Sequence, residues 1–151
     1  MLQEGDKVPV FSGLDQDNKK ISSKDLTGKF AIYFYPQDMT ETCTIQACNL
    51  RDNYTVLKNK KIKVIGISPD SIQSHKKFES KYQLPFPLIA DTSHSIIESF
   101  GVWGEKKLFG RKYMGLIRTT FLIDKGIIKK VISKPKSKDH VREILEAWES
   151  I

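Results

Sequence analysis

Two short apolar segments separated by a helix-forming stretch restrict the fold of this chain more than any other feature. Residues 30–35 are aromatic or aliphatic throughout, and residues 62–67 are rich in β-branched side chains, as is typical of strands inside a sheet. Residues 44–58 between them place apolar side chains at helical spacing. Because a strand-helix-strand unit of this length joins parallel strands, the sequence predicts an α/β fold.

The rest of the chain continues this alternation. Further predicted elements are a helix at 71–82, a strand at 86–90, a helix at 93–100, strands at 119–124 and 127–132, and a helix at 138–148. We expect Asp70 to cap the first of these helices, Gly101 to end the second, and Lys125-Gly126 to form a hairpin turn. Residues 103–115 are predicted to be a loop or a hairpin-like excursion. The expected architecture is one domain, 1–151, with a central mixed β-sheet and helices on both faces.

The N-terminus and the charge distribution favour a cytoplasmic protein without a membrane or nucleic-acid partner. The first residues lack the basic and then apolar regions of a secretory signal, and no apolar run approaches the roughly 20 residues that cross a bilayer. The formal net charge is +7, but basic residues are spread along the chain among acidic ones. We interpret them as a solvated surface, with residues 134–138 as the best candidate for a patch that binds a partner.

Both cysteines of the chain, Cys43 and Cys48, follow the first predicted strand closely. Pro36 ends that strand, so Cys43 falls near the first turn of a helix, where unpaired amides and the helix dipole favour a thiolate. In a reducing compartment, a closely spaced pair is catalytic, redox-sensing or metal-binding more often than structural. Two buried, inert thiols on an amphipathic helix are the remaining alternative.

Six short motifs, in the same order along the chain, closely resemble the peroxiredoxins, and among them the bacterioferritin comigratory protein or peroxiredoxin Q subgroup. They cover essentially the whole chain, and their combination is specific although each alone is weak. The motifs are Gly5-Asp6-x2-Pro9-x-Phe11, Phe34-Tyr35-Pro36, Pro36-x3-Thr40-x2-Cys43, Gly66-Ile67-Ser68-x-Asp70, Ser74-His75-x2-Phe78 and Arg118-x-Thr120-Phe121-Leu122-Ile123-Asp124.

This resemblance implies a thioredoxin-like fold and a peroxidase that acts on hydrogen peroxide and organic hydroperoxides. Cys43 would attack the peroxide and become a sulfenic acid, and Cys48 stands where the subgroup has its resolving cysteine. The hydroxyl of Thr40 would orient the peroxide, Arg118 would stabilise the thiolate and the leaving oxygen, and Pro36 would shield the sulfur. The resemblance further implies no metal or organic cofactor, a monomer, and thioredoxin or a similar dithiol as the reductant.

Helix geometry adds a condition on any bond between the two cysteines. On an intact helix, residues five apart have Cα atoms separated by roughly 8.6 Å. A disulfide rarely tolerates a Cα separation of more than about 7 Å. If Cys43 and Cys48 bond, the first turns of the helix must therefore unwind.

The sequence departs from the family pattern at three positions beside the cysteines. Glu41 and Thr42 stand where the family usually has proline and glycine, and Gln46 stands where the subgroup commonly has glutamate. A carboxylate at Glu41 opposes thiolate formation unless it points to solvent. These changes bear on rate and peroxide preference more than on the class of reaction.

Four other residues are expected to have no catalytic role. His75, although it matches the subgroup, is expected on a helix surface or at the edge of the core rather than as a base. Trp103, Phe109 and Tyr113 are expected to pack, and an apolar collar that admits organic hydroperoxides is the alternative.

Two competing functions have weaker support in the sequence. A general thiol-disulfide oxidoreductase would normally carry Cys-x-x-Cys, and a proline before the strand that begins at Thr119; this chain has neither. A metal carrier or redox sensor could use Cys43 and Cys48, but the three histidines are scattered. Nothing in the sequence predicts a zinc site, a phosphate-binding loop or a serine triad.

Overall fold

The computed structural model describes residues 1–151 and is built around a seven-stranded sheet. The strands, in chain order, are β1 (Ser12–Leu14), β2 (Lys20–Ser22), β3 (Lys29–Phe34), β4 (Ile62–Ser68), β5 (Leu88–Ala90), β6 (Trp103–Leu108), β7 (Arg111–Leu116), β8 (Thr119–Asp124) and β9 (Ile127–Ser133). The main sheet has the order β2-β1-β5-β4-β3-β8-β9, and β6 and β7 form a separate hairpin. The helices are α1 (Glu41–Asp52), α2 (Tyr54–Asn59), α3 (Ile72–Tyr82), α4 (Ser95–Phe100) and α5 (His140–Glu149).

Strand directions confirm the predicted mixed sheet. β3 runs parallel to β4, and β4 runs parallel to β5, as the strand-helix-strand pattern requires. β8 pairs antiparallel with β3 on its other side and continues into β9 by a hairpin. The carboxyl ends of β3 and β4 therefore meet at one edge of the sheet, where the loops that follow them lie side by side.

The sheet separates two apolar cores of similar size, because alternate residues of each strand point to opposite faces. On β3, Phe30, Ile32 and Phe34 belong to one core, while Ala31 and Tyr33 belong to the other. Residues of α1, α2, α3 and α5 pack into the second core, and residues of α4 pack into the first. The expectation of helices on both faces is confirmed.

The predicted helices differ from the observed ones at two points, and each has a local cause. The helix predicted at 44–58 is two helices, because the side chain of Asn53 donates to the carbonyl of Asn49 at 2.9 Å and its backbone leaves the helical region. Asp70 does not cap α3. Ser71 is the N-cap and accepts from the amide of Ser74 at 3.1 Å.

The strands β1 and β2 were not predicted, since each is only three residues long and largely exposed. Residues 103–115 form the β6–β7 hairpin, one of the two alternatives expected. Phe109, in its turn, is 96% exposed, and Tyr113, on β7, is 43% exposed, so the prediction that these two side chains pack is wrong. Trp103 does pack against the core. No helix is both long and apolar enough to span a bilayer.

Candidate active site

Cys43 lies in the first turn of α1, directly after the loop that leaves β3. Its side chain is almost completely buried, with 1% of the residue exposed. The first intrahelical hydrogen bond runs from the amide of Thr44 to the carbonyl of Thr40 at 2.9 Å. The amides that precede Thr44 therefore have no partner within the helix, and they favour negative charge on a nearby sulfur.

Arg118 reaches the same sulfur from another strand. It precedes β8, whose first residue, Thr119, pairs with Phe34 at the end of β3. This register brings the guanidinium beside α1, where Nη2 donates to Sγ of Cys43 at 3.1 Å. A permanent cation with directed donors stabilises a thiolate and any charge that develops next to it.

Gln46 supports Arg118 from one turn further along α1. Its Oε1 accepts from Nη1 of Arg118 at 2.6 Å, while its own Nε2 is buried without a partner. Because Gln46 is neutral, it orients the guanidinium without cancelling its charge. A glutamate here would pair with Arg118 and compete with the sulfur for that charge.

Thr40 and Pro36 lie on the loop before Cys43, and both are half-buried. Thr40 occupies the N-cap position of α1, but its hydroxyl caps no amide and donates to the carbonyl of Gln37 at 3.1 Å. The oxygen of that hydroxyl keeps its capacity to accept. Glu41, whose carboxylate would oppose thiolate formation if it pointed toward the sulfur, is exposed.

Cys48 lies on the same continuous helix and is half-buried. Both thiols are free. Since α1 is intact from Glu41 to Asp52, the helix geometry that keeps the two cysteines too far apart for a disulfide applies here. A bond between them requires the start of α1 to open.

Two other titratable groups respond to this site. Burial raises the pKa of Tyr33 well above its usual 10.0, and the nearby charge of Cys43 acts in the same direction. Burial lowers the pKa of Lys106, and the positive charge of Arg118 adds to this effect. Nζ of Lys106, on β6, donates to the carbonyl of Leu116, the last residue of β7, at 2.8 Å, so this bond joins the two strands of the hairpin two residues before Arg118.

Sequence reasoning missed a buried polar cluster centred on Asp38. Its carboxylate accepts from the hydroxyl of Tyr35 at 2.6 Å, from that of Ser74 at 2.8 Å, and lies 2.7 Å from Nδ1 of His75. His75 is completely buried, so the expectation of a surface or core-edge histidine is wrong. The signal was present, since His75 and Asp70 both fell within the matched motifs, but nothing in the sequence paired either of them with Asp38.

Asp38, Asp70 and His75 each present one donor atom within 4.8 Å of the others, the spacing of a metal site. Hydrogen bonds within the protein already occupy these atoms: Asp70 accepts from Ser68 at 2.6 Å, and Nε2 of His75 faces the carbonyl of Ile89 at 3.1 Å. The cluster is therefore explained as a hydrogen-bonded network.

The fold and the site together define a class of protein. A buried thiol at the start of the helix that follows a central parallel strand faces an arginine that immediately precedes the antiparallel neighbour of that strand. This arrangement is a candidate reactive-cysteine site on a thioredoxin-like fold.

Comparisons with known proteins agree with this class and narrow it. The AhpC/TSA family model matches residues 4–131. The chain is 43% identical to peroxiredoxin Bcp of Escherichia coli K12 over 149 residues, which are 97% of this chain and 95% of that protein. It is also 43% identical to peroxiredoxin Bcp of Bacillus subtilis over 147 residues, covering 96% and 94% of the two chains.

Among solved structures, the bacterioferritin comigratory protein of Xanthomonas campestris superposes with a TM-score of 0.86 at 27% identity, over 93% of this chain and 90% of that one. The chain therefore belongs to the AhpC/TSA family, and within it to the peroxiredoxins of the bacterioferritin comigratory protein or peroxiredoxin Q subgroup.

Proposed function

We propose that the protein is a two-cysteine peroxidase that reduces hydrogen peroxide and organic hydroperoxides, with Cys43 as the nucleophile and Cys48 as the resolving thiol. The observation that carries this proposal is the hydrogen bond from Arg118 to the buried sulfur of Cys43, at 3.1 Å. A cation and the free amides of a helix start therefore act together on one thiol.

In the first step, the thiolate of Cys43 attacks the terminal oxygen of the peroxide. A sulfur-oxygen bond forms and the oxygen-oxygen bond breaks, so that Cys43 is oxidised to a sulfenic acid and the leaving oxygen departs as hydroxide or alkoxide, which takes a proton from solvent to give water or an alcohol. Arg118 stabilises the leaving oxygen while its charge builds. Thr40 orients the peroxide through its hydroxyl, and Pro36, which has no amide proton, keeps water from the sulfur.

In the second step, the thiol of Cys48 attacks the sulfur of the sulfenic acid. A disulfide forms and the hydroxyl leaves as water, with the proton taken from the thiol. The helix geometry requires α1 to open at its start for this step. In the third step a dithiol such as thioredoxin attacks the Cys43–Cys48 disulfide, is itself oxidised to a disulfide, and restores both thiols. The cycle needs no metal or organic cofactor, and it serves antioxidant defence.

The intact mass of freshly reduced protein, measured seconds after one equivalent of hydrogen peroxide, tests the proposal. We expect the wild type to lose two hydrogens, Cys48→Ser to gain one oxygen, and Cys43→Ser to remain unchanged. An unchanged wild-type mass after minutes would refute the peroxidase cycle. Copper titration followed by absorbance then tests the metal-carrier alternative, which requires a charge-transfer band.

Hydrogen exchange tests the opening of α1 separately. We expect amides in residues 42–51 to exchange faster in the oxidised protein than in the reduced one. Equal protection in the two states would contradict a disulfide within this helix.

A further inference from the structure

The buried cluster around Asp38 adjoins the Cys43 site without touching the sulfur. Only 1% of the Asp38 side chain is exposed, and the His75 side chain is fully buried. A buried carboxylate is stable only when its oxygens are hydrogen-bonded, and Tyr35, Ser74 and His75 meet that need from β3's end and from α3.

The hydrogen-bond partners of His75 bear on which of its ring nitrogens carry a proton. Nε2 of His75 faces the carbonyl of Ile89 at 3.1 Å, and a carbonyl only accepts, so Nε2 carries a proton. Nδ1 lies 2.7 Å from Oδ2 of Asp38. The hydroxyls of Tyr35 and Ser74 donate to the carboxyl group of Asp38, and a proton on Nδ1 of His75 would give it a third, charge-assisted donor. With both ring nitrogens protonated, His75 would be an imidazolium paired with the Asp38 carboxylate.

The backbone of Asp38 is held as firmly as its side chain. Its amide donates to Oδ2 of Asp70 at 2.8 Å, and the amide of Tyr35 donates to the carbonyl of Ile67 at 3.1 Å. The next residue, Met39, has φ at 66°, a left-handed conformation that is unfavourable for a long side chain. Such a conformation persists where the surroundings impose it, and the bonds to Asp38 do so.

We propose that His75 is a positioning residue of the Cys43 site, and that its ion pair with Asp38 fixes the path of the chain from Pro36 to Thr40. The pair anchors the active-site loop to α3, so that the chain leaves Asp38 in the one direction that places Thr40 and Cys43 at the start of α1. The pair also limits how far local unfolding extends when the disulfide forms. Residues up to Asp38 stay anchored, while the chain after Met39 moves. This inference rests on the peroxidase function proposed above.

The chain contains a matched control in a second buried histidine. His140, on α5, is also fully buried; its Nε2 lies 2.8 Å from the hydroxyl of Thr120 and its Nδ1 lies 3.0 Å from Oε1 of Glu143. Each of the two histidines contacts a carboxylate through Nδ1. Nε2 of His140 faces a hydroxyl where Nε2 of His75 faces a backbone carbonyl, and the hydrogen bonds of His140 do not reach the loop between β3 and α1.

The kinetic test compares His75→Asn with His140→Asn. Both should lower the urea midpoint, since each removes buried hydrogen bonds. We expect the second-order rate of Cys43 oxidation by hydrogen peroxide to fall by about tenfold or more in His75→Asn, because small misplacements of reacting groups are costly, and to change less than about twofold in His140→Asn. Equal slowing in both variants, or no slowing in either, would overturn the positioning role. An inactive wild type would instead refute the proposed function.

Measurements on the wild type test the same inference without a variant or an activity. Nitrogen-15 spectra of the reduced protein should show both ring nitrogens of His75 protonated; an unprotonated Nδ1 would exclude the ion pair. In the oxidised protein, the amide of Asp38 should keep its protection from exchange while amides of the first turn of α1 lose theirs. Loss of protection at Asp38 on oxidation would overturn the proposed limit.

Discussion

Replacing Arg118 by methionine removes the only cation in hydrogen-bond contact with Cys43, at little cost in volume. A hydrogen bond with a charged partner contributes about 1.5–3 kcal/mol, and two opposite charges about 4 Å apart near a protein surface attract by about 4 kcal/mol at most. Because Arg118 is half-buried, solvent weakens the attraction between the charges, and the range of about 1.5–3 kcal/mol applies. Since about 1.36 kcal/mol corresponds to a factor of ten in rate, we expect peroxide attack to slow by roughly 10- to 150-fold.

The assay is the loss of free thiol in reduced protein under an excess of hydrogen peroxide, fitted as a second-order rate constant. Arg118→Lys separates charge from geometry, because an ammonium keeps the charge but has no planar fork with which to bridge Cys43 and Gln46. It should fall between the wild type and Arg118→Met. Arg142→Met controls for the loss of one positive charge, since Arg142 is exposed on α5.

Two results would refute this reasoning. A rate for Arg118→Met within about threefold of the wild type would show that the guanidinium contributes little to the reactive state. A similar fall in Arg142→Met would show that the long-range field of the protein, and not the 3.1 Å contact, governs the reaction.

Four further predictions concern stability, each measured by urea unfolding. Tyr33→Phe should leave the free energy of unfolding unchanged or raise it, because the Tyr33 hydroxyl is buried without a partner. Tyr35→Phe should lower the free energy of unfolding by about 1–2 kcal/mol, because the Tyr35 hydroxyl donates to Asp38 at 2.6 Å. The opposite order of the two variants would contradict the hydrogen-bond assignment. Burial raises the pKa of both tyrosines well above 10.0, so both ionise more readily in the unfolded chain. The free energy of unfolding of the wild type should therefore decline as the pH rises above 10.0, and it should decline less steeply in Tyr33→Phe. Gly66→Ala should lower the free energy of unfolding by about 1–3 kcal/mol, since its Cβ would lie 2.9 Å from the buried Tyr33 ring. Gly28→Ala is the control and should lower it less, because there is open space around Gly28. Phe109→Asn should raise the free energy of unfolding by about 0.5–1 kcal/mol, because Phe109 has φ at 51° in a two-residue hairpin turn, a conformation that asparagine adopts more readily. An unchanged free energy of unfolding would argue against strain at that turn.

Periodicity and turn chemistry were sufficient for most of the fold. The run at 30–35 and the run at 62–67 became the parallel pair β3 and β4, and the Lys125-Gly126 turn joins β8 to β9. The failures were local. The predicted cap at Asp70 was displaced because its carboxylate accepts from the amide of Asp38 and the hydroxyl of Ser68, and these partners belong to segments that the sequence could not bring together.

The candidate site was predictable in part. Cys43 was placed at a helix start from the order of strand, proline and helix alone, and the structure agrees. Arg118 was selected through family resemblance, and the antiparallel pairing of β8 with β3 is what carries it to the sulfur across 75 residues of sequence. Asp38 was not selected, because an acidic residue in a polar loop has no distinguishing sequence pattern.

The sequence by itself determined most of the elements, though not β1, β2 or the break between α1 and α2, because apolar periodicity and turn residues act within a few positions of one another. It also selected Cys43 as the candidate nucleophile, since the chemistry of a thiol at a helix start is local. Only the tertiary structure decided the long-range contacts: which cation reaches Cys43, which histidine is buried against Asp38, and which hydrophobic side chains of the β6–β7 hairpin remain exposed. These contacts depend on strand order and register, which join residues distant in the chain, and no local propensity records them.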